Sequence, residues 1–337
     1  MSGSNIAYHL RTHKAVDRRL FIDLLTRYER ERPLENAAYL SMGAYSLEDH
    51  RLIHRYLGIK RLIAFDLDED IVSRQQFNKP IDSCHCVKKT AGELVVELDA
   101  ILASCNCSDA TSVIVWLDYT DPKDIGSQVR EFQSLLDKLR EGDVVRVTVN
   151  ANPKELQKEV NGAPVLVSKT MQKHFSKLQN AIGDYLPSTA KASDMTFERF
   201  AVLLSQAFAS AALKALPASG RTVFAPLSVV RYADTTQMLS ISGVIVARDK
   251  EEHMRASMRL SSWPFGSTGW TDVKHIIAPA ITLRERLFLE RSVMDKSDAA
   301  IATELGFSKF GATKVEEFLD SYRKYYRFYP TMLLADV

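Results

Sequence analysis

The sequence predicts an α/β fold built on a mostly parallel sheet, and three observations support this prediction. From position 37 to position 150, short apolar segments alternate with segments whose apolar residues have helical spacing. Residues 112–119 (SVIVWLDY) are rich in β-branched and aromatic residues, which is typical of a buried strand. Two long strand-like segments, 221–234 and 236–249, are separated by a connection so short that they must pair antiparallel.

The individual elements follow in chain order from the same patterns. Apolar residues at Val16, Leu20, Leu24 and Tyr28 predict a helix over 15–30, which ends before Pro33. Five strands and four helices then alternate, and a glycine ends the helix over 46–58. The predicted strands are 37–42, 61–68, 83–89, 112–119 and 143–152, and the predicted helices are 46–58, 68–78, 92–105 and 125–142. This alternation with short connections indicates a parallel sheet that helices cover on both faces.

The second half of the chain interrupts this alternation twice. Residues 151–220 have helical spacing and are expected to form an insertion before the antiparallel strands. A loop rich in Gly, Ser and Trp at 261–275 is the best candidate boundary, and three helices follow it. We therefore expect an N-terminal helical segment (1–36), a main domain (37–260) and a C-terminal three-helix unit (276–337).

Composition limits the classes of function. The 337 residues carry 44 Lys and Arg against 42 Asp and Glu, a net charge of +2, so any nucleic-acid contact must be a local patch. Neither a membrane-spanning run nor the apolar core of a secretory signal is evident, and a cytoplasmic location without membrane contact is expected. The four cysteines, in CHC and CNC pairs, are expected to be reduced and buried, because structural zinc ligands are usually spaced more widely. No metal site is predicted.

Three segments stand where the predicted parallel strands end. Ser41, Met42, Gly43 and Ala44 follow the first strand, and Asp66 and Asp68 end the second, about 20 residues further on. Asp118 and Tyr119 follow the fourth strand. Ligands bind at this edge of an open parallel sheet.

The strand order and these positions resemble the Rossmann-like S-adenosylmethionine-dependent methyltransferases, over roughly residues 37–250. The resemblance implies that residues 41–44 hold the methionine part of S-adenosylmethionine, although only one glycine of the usual two or three is present. It also implies that Asp66, or its neighbour Asp68, binds the ribose hydroxyls. Glu93, after the third strand, is a weaker match for a residue near the adenine.

The same resemblance places the chemistry next to Asp118 and Tyr119. The sequence there lacks the Asn-Pro-Pro-Tyr pattern of enzymes that methylate amino groups, so transfer to oxygen is favoured. An acceptor also needs a partner for its proton, and Asp118, Tyr119 or a histidine of the N-terminal segment, His9 or His13, is expected to supply it. Asp118 has an alternative structural interpretation as a helix cap or a strand end.

The N-terminal segment concentrates basic and aromatic side chains. Residues 1–32 hold seven Lys and Arg against four Asp and Glu. One interpretation is a solvated helix face beside a loose terminus. The alternative is a substrate-binding surface for an anionic acceptor; its members are Tyr8, Arg11, Lys14 and Arg18.

Residues 297–308 (SDAAIATELGFS) resemble the second helix and turn of a helix-turn-helix or winged-helix unit. Residues 281–337 carry nine basic and nine acidic side chains, whereas a domain that reads a DNA groove is usually basic. Docking of a protein partner or self-association of the chain is therefore as well supported as nucleic-acid binding.

The sequence thus leads to two hypotheses of different class. The first is an S-adenosylmethionine-dependent O-methyltransferase whose acceptor is a nucleic acid or a small molecule. The second is a catalytically inactive adaptor that keeps the methyltransferase fold and binds a partner, because a fold does not fix a function.

Overall fold

The computed structural model describes residues 11–156 and 167–330, in which eight strands form one twisted sheet. The helices are α1 (Thr12–Tyr28), α2 (Glu48–Leu57), α3 (Glu69–Asn78), α4 (Ala91–Val96), α5 (Leu98–Ser104), α6 (Ile125–Lys138), α7 (Val167–Ile182), α8 (Phe197–Ala215), α9 (Glu251–Ser257), α10 (Leu283–Ser292), α11 (Asp298–Leu305) and α12 (Val315–Tyr325). The sheet strands are β1 (Ala38–Ser41), β2 (Arg61–Asp66), β3 (His85–Lys88), β4 (Val113–Asp118), β5 (Val144–Asn150), β6 (Thr222–Ala233), β7 (Gln237–Ala247) and β8 (Lys274–His275). Two short strands, β9 (Lys309–Phe310) and β10 (Thr313–Lys314), pair separately.

The strands of the main sheet lie in the order β3-β2-β1-β4-β5-β7-β6-β8. Strand β7 runs antiparallel to both of its neighbours, and every other pairing in the sheet is parallel. This order confirms the predicted α/β class, the parallel strands and the antiparallel hairpin. Chain order reverses between β1 and β4, and the crevice at such a switch point is where ligands bind in open α/β sheets.

The sheet separates two apolar clusters. On one face, α1 and α2 pack together with the C-terminal helices, and on the other face α4 to α8 cover the strands. Strand β5 contributes to both layers because successive side chains of a strand point to opposite faces. Helix α8, in the predicted insertion, packs Phe208 against Phe132 of α6, so it is part of the second layer.

The structure differs from the sequence-based expectation in two helices. The helix expected over 92–105 is two helices, α4 and α5, which meet at Glu97, where φ is −101° and ψ is 16°. The last predicted helix was wrong over its first six residues, 309–314, which form the β9–β10 hairpin around Gly311. Phe310 is buried there against Phe318, and this apolar contact holds the segment as a hairpin.

The C-terminal helices share their core with α1. Tyr322, Tyr325 and Tyr329 are almost fully buried, and the Tyr325 hydroxyl donates a 2.5 Å hydrogen bond to the carbonyl oxygen of Ile277. Arg19 of α1 donates to the carbonyl oxygen of Tyr329 at 2.9 Å. Nine residues, 306–314, separate α11 from α12, whereas the turn of a helix-turn-helix has three or four residues. That resemblance is therefore not confirmed, and nucleic-acid, protein or self-association roles for these helices stay predictions.

Of the helices in the described part of the chain, none is long and apolar enough to cross a membrane.

Candidate active site

Three adjacent strands bring their terminal residues to one level. Ser41 of β1 pairs with Ala64 of β2 and with Trp116 of β4. Strands β2 and β4 end two residues beyond this level, at Asp66 and Asp118, and Gly43 lies two residues beyond Ser41 in the turn that follows β1, so all three residues lie at the carboxyl edge of the sheet. The three positions that the sequence singled out are therefore neighbours in the crevice where the strand order reverses.

The glycine turn has a structural requirement of its own. Gly43 has φ +63°, and a Cβ atom there would lie 2.8 Å from both His50 and Leu47. Gln75 of α3 holds the turn by donating to the carbonyl oxygens of Met42, at 2.9 Å, and Ala44, at 3.1 Å. Sequence reasoning missed this fully buried glutamine, because its spacing on α3 resembles that of any surface polar residue.

A buried ion pair lies beneath this turn. The Asp49 carboxylate accepts a 2.7 Å hydrogen bond from the Tyr39 hydroxyl and contacts His50 at 3.3 Å. Burial acts to lower the pKa of His50, but the Asp49 carboxylate outweighs it and raises the pKa above its ordinary value. Burial likewise opposes ionisation of Asp49, yet His50 holds the pKa of Asp49 well below its usual range. The Asp49–His50 pair is therefore charged, and in this form it stabilises the base of the glycine turn.

Tyr45, which departs from the glycine-rich pattern, lies away from this crevice. The guanidinium of Arg74 on α3 stacks 3.6 Å from the centre of the Tyr45 ring. The Asn78 side chain donates to the Tyr45 carbonyl oxygen at 2.9 Å. Both contacts hold the aromatic ring against α3, so its size does not fill the crevice at Gly43.

The acidic candidates on the ribose and adenine side differ in their contacts. The Asp66 carboxylate accepts the backbone N–H of Asp68 at 2.9 Å and is half-buried, and this burial raises its pKa. Asp68 caps α3 by accepting the N–H of Asp70, at 2.9 Å, so a local role explains it. Glu93 closes a capping box with Thr90, whose N–H it accepts at 2.8 Å. Asp66 is therefore the stronger ribose candidate, and an adenine contact by Glu93 stays a prediction.

Asp118 and Tyr119 separate to opposite faces of the sheet. Asp118 accepts a 2.6 Å hydrogen bond from the Lys14 ammonium of α1. The Tyr119 hydroxyl donates to Glu131 of α6 at 2.5 Å, and burial together with that carboxylate raises its pKa well above 10. Tyr119 was predicted to assist the acceptor, but the structure corrects this: its ring packs in the apolar layer beneath α6.

Helix α1 supplies most of the cationic side chains of the site. It runs across the sheet with its N-terminus at the carboxyl edge, where Asp234 of the β6–β7 turn accepts the N–H groups of His13 and Lys14, both at 3.1 Å. Lys14 and Arg18, one turn apart, are both buried, so they are not a solvated face. Arg11 precedes the helix. The predicted residues Tyr8 and His9 lie outside the described residues.

A histidine and a carboxylate that the sequence left unpaired also meet at this edge. His13 Nδ1 lies 3.0 Å from Asp234 Oδ1, and both side chains are more than four-fifths buried. Burial would raise the pKa of Asp234, but the hydrogen bonds from His13 and Lys14 hold it below its ordinary value. An ionised Asp234 favours the His13 tautomer that carries its proton on Nδ1. Sequence alone offers no signal that joins positions 221 residues apart.

A buried polar network fixes α1 to the sheet. Asp17 of α1 pairs with Arg146 of β5, and the two side chains are 0% and 3% exposed. Arg146 also donates to the Ser242 hydroxyl at 2.9 Å, and its guanidinium lies 4.7 Å and 4.6 Å from the ring centres of Phe21 and Trp116. These contacts fix the position of α1, and they therefore determine where the Lys14 and Arg18 side chains lie over the sheet.

Residues to which the sequence assigned different roles line one small cavity. The cavity, about 20 Å³ in volume, lies between α1 and the glycine turn. Its predicted lining residues are Arg18, Ser41, Gly43, Ala44 and Asp118, and the others are Ser46, Glu48, Asp49 and Trp116. That volume accommodates about one water molecule. Cofactor, substrate and catalytic candidates from the sequence are thus brought together by α1.

Comparison with known proteins identifies the family. A family model described as "Putative O-methyltransferase" matches residues 6–336. The chain belongs to this family. No curated protein sequence matches the chain.

Three solved structures resemble this O-methyltransferase family member at low identity. LepI in complex with SAM is 12% identical, with a TM-score of 0.36. The match covers 66% of this chain but only 46% of the LepI chain. The plantazolicin methyltransferase BamL, in complex with a triazolic desmethylPZN analog and SAH, is 8% identical with a TM-score of 0.37, covering 68% of this chain and 85% of BamL. A mutant 16S rRNA (adenine(1408)-N(1))-methyltransferase with SAM from Catenulisporales acidiphilia is 11% identical with a TM-score of 0.29, covering 67% and 93%.

Proposed function

We propose that this protein transfers a methyl group from S-adenosylmethionine to an oxygen acceptor, with the cofactor bound over the carboxyl ends of β1, β2 and β4. The observation that carries this proposal is the position of Gly43, Asp66 and Asp118 at the carboxyl edge of three adjacent strands. Membership of the O-methyltransferase family supports the same chemistry. The cofactor supplies a methyl group that is activated by its positively charged sulfur.

Asp66 is the residue proposed to hold the ribose. An ionised carboxylate has about four lone-pair sites, and the hydrogen bond from Asp68 uses one of them. Two vicinal hydroxyls can therefore donate to the remaining sites without displacing that contact. Such donors would favour the ionised form and offset the pKa increase that burial causes.

The acceptor is proposed to be a hydroxyl group, because the edge beside Asp118 carries a histidine and carboxylate pair. Asp234 holds the His13 proton at Nδ1, which leaves Nε2 as a proton acceptor. Nε2 has no hydrogen-bond partner within residues 11–156 and 167–330. His13 then removes the hydroxyl proton as the oxygen approaches the methyl group, whereas a carboxylate acceptor would need no such base.

The adaptor hypothesis has one observation in its favour. The cavity of about 20 Å³ beside the glycine turn is too small for the amino-acid part of S-adenosylmethionine. An amino-acid tail that enters this cavity therefore requires α1 or its side chains to move outward. Binding measurements decide between the two hypotheses.

Calorimetric titration of S-adenosylhomocysteine into the wild type and Asp66→Asn tests the cofactor site. Loss of two hydrogen bonds to a charged group is expected to weaken binding by roughly tenfold or more. Asp68→Asn is the matched control, because asparagine also caps a helix and should leave affinity within about twofold. No heat from the wild type at millimolar ligand would contradict the enzyme proposal and leave the adaptor hypothesis.

A methyl-transfer screen with alcohols, phenols and carboxylic acids of matched size tests the acceptor class. Transfer to hydroxyls that falls by about a hundredfold to ten-thousandfold in His13→Ala supports the proposed base. Transfer to carboxylic acids at a rate unchanged by His13→Ala would contradict it.

A further inference from the structure

Arg231 of β6 is a mostly buried cation whose guanidinium makes no hydrogen bond to the described residues. Its side chain is 18% exposed, and the nearest carboxylate oxygen, Glu198 Oε1, lies 4.0 Å away. That distance is too long for a hydrogen bond. Burial lowers the pKa of Arg231, although the charges of Glu198 and Glu317 favour its protonated form. A guanidinium carries five donors in a rigid fork, so Arg231 has unused capacity to bind an anion.

His275 of β8 lies beside Arg231. The two residues are register partners in adjacent parallel strands, and such partners present their side chains on the same face of the sheet. His275 is exposed, and within residues 11–156 and 167–330 its ring has no hydrogen-bond partner. Desolvation and the charges of Arg231 and His13 lower the pKa of His275 to about 4. The imidazole is therefore neutral at pH 7 and can donate one N–H.

Arg231 and His275 lie at the same edge of the sheet as the His13–Asp234 pair. Strand β6 runs parallel to β5, and Asp234 directly follows β6. Residues of a strand are spaced by about 3.3 Å, so the Cα atoms of Arg231 and Asp234 are roughly 10 Å apart. His13 contributes to the pKa of His275, so the two rings are within electrostatic range of each other. One molecule that spans this distance can therefore contact both His13 and Arg231.

Glu198, in the first turn of α8, is a weak competitor for the Arg231 guanidinium. Its side chain is 80% exposed, so water solvates the carboxylate. Exposed ion pairs contribute little, and a ligand anion that forms two hydrogen bonds with the guanidinium would bind more strongly than this long contact. An ammonium group would be repelled by Arg231. The surroundings of Arg231 therefore favour an anion with at least two oxygens, such as a carboxylate or a phosphate.

We propose that Arg231 and His275 form a subsite for a carboxylate or phosphate group of the methyl acceptor, whose hydroxyl lies at His13. This inference rests on the proposed function, since His13 is the proposed base. Arg231 supplies two parallel N–H donors to the anion, and His275 supplies a third donor. The acceptor class is then a hydroxylated organic anion rather than a neutral alcohol or phenol.

NMR of the histidine rings tests the subsite without requiring turnover. Inorganic phosphate and acetate are titrated at pH 7 and constant ionic strength, and the His275 resonance is assigned by its loss in His275→Asn. We expect a saturable shift of this resonance at millimolar anion, and at least tenfold weaker binding in Arg231→Met. Arg221→Met is the matched control, because Arg221 is exposed at the opposite end of β6, and it should leave the affinity within twofold. The anion that binds more tightly distinguishes a phosphate-bearing acceptor from a carboxylate-bearing one.

A second variant keeps the test decisive if Arg231→Met does not fold. Glu198→Gln removes the competing carboxylate at an exposed position and leaves every donor of the subsite in place. We expect it to tighten anion binding at His275 by about twofold or more. A purely structural role of Arg231 would not produce this gain.

Pairs of acceptors connect the subsite to methyl transfer. Hydroxylated carboxylates and their amides, such as para-hydroxybenzoate and para-hydroxybenzamide, are nearly equal in size and differ in charge. We expect the wild type to methylate the hydroxyl of the anion with the higher kcat/KM. Arg231→Met should remove this preference by raising KM for the anion, with the rate for the amide unchanged within twofold.

The outcomes separate this inference from the proposed function, because S-adenosylhomocysteine binding is measured on the same samples. If the wild type binds S-adenosylhomocysteine but the His275 resonance does not respond to either anion, the subsite is overturned while the cofactor site stands. Equal weakening in Arg231→Met and Arg221→Met, or equal methylation of anions and amides by the wild type, would also overturn it. Failure of the wild type to bind S-adenosylhomocysteine at millimolar concentration would refute the proposed function, and the acceptor subsite with it.

Discussion

The two faces of strand β5 differ in chemistry although the same seven residues form both. Toward α6 and α8 the strand presents buried valines, and toward α1 it presents buried polar side chains after its first residue. The apolar side chains are Val145, Val147 and Val149, and the polar ones are Arg146, Thr148 and Asn150. The valines belong to the same buried apolar cluster as Phe132, whereas the polar face contacts Asp17 of α1 and two serines of β7.

This difference indicates how the fold separates stability from function. The apolar layer is sequestered from water and lined by groups that need no partner. The α1 layer instead depends on matched charges and hydrogen bonds, and two of its buried atoms that have no hydrogen-bond partner, Arg18 Nε and Asp118 Oδ1, belong to residues that line the crevice. We therefore expect substitutions on the two faces to have different consequences for folding and for ligand binding.

The largest effect is expected from Arg146→Met. Removing this guanidinium leaves the Asp17 carboxylate buried without its ion-pair partner, at a cost of about 3–5 kcal/mol in the free energy of unfolding. Urea denaturation monitored by circular dichroism measures the loss.

The double variant Asp17→Leu with Arg146→Met is the control for this pair. An apolar replacement of both partners should recover most of the lost stability, because no buried charge then remains unpaired. A double variant that is no more stable than Arg146→Met would show that the pair is not the source of the cost.

A slightly smaller effect is expected on the opposite face. Leu204→Ala in α8 creates a cavity in the apolar layer and should reduce the free energy of unfolding by about 3 kcal/mol. Affinity of the folded protein for S-adenosylhomocysteine should stay within twofold, since the layer lies across the sheet from the crevice. If folded Leu204→Ala bound S-adenosylhomocysteine more than twofold more weakly, the two faces of the sheet would not be independent.

The smallest effect is expected from Asp234→Ala at the N-terminus of α1. Loss of the two N–H contacts at His13 and Lys14 should cost about 1 kcal/mol at pH 7. Because folding lowers the pKa of Asp234, its contribution is fully present above the unfolded pKa of about 3.9 and is lost as the pH falls through the lower folded value. The wild type and the variant should therefore differ in urea stability at pH 7 and converge in acid, near pH 2.

Asp249→Ala, at an exposed position, is the control and should be neutral at both pH values. If the stability difference between the wild type and Asp234→Ala stayed constant down to pH 2, the stabilisation would not come from the ionised Asp234 carboxylate.

The sequence predicted the sheet and its carboxyl edge because both follow from local patterns. Apolar runs and helical spacing placed Gly43, Asp66 and Asp118 at strand ends, and the structure makes those three strands adjacent. The pairs His13–Asp234 and Asp17–Arg146 were not predictable, because each joins residues more than a hundred positions apart. The β9–β10 hairpin was missed because burial of Phe310, a tertiary contact, outweighs the helical pattern around it.

Tyr119 shows a different limit of the sequence argument. Its position after β4 was correct, but strand alternation sends neighbouring side chains to opposite faces. Asp118 faces α1, and Tyr119 therefore faces α6 and donates to Glu131. A position at the carboxyl edge of the sheet does not by itself place a side chain in the crevice.

Hydrogen–deuterium exchange with and without saturating S-adenosylhomocysteine tests the central claim most directly, because it reports on both faces in one experiment. The account predicts slower exchange in peptides that cover residues 12–28 and 41–49, with no change across α8 at 197–215. Binding accompanied by protection confined to α8, with α1 and the glycine turn unchanged, would contradict it.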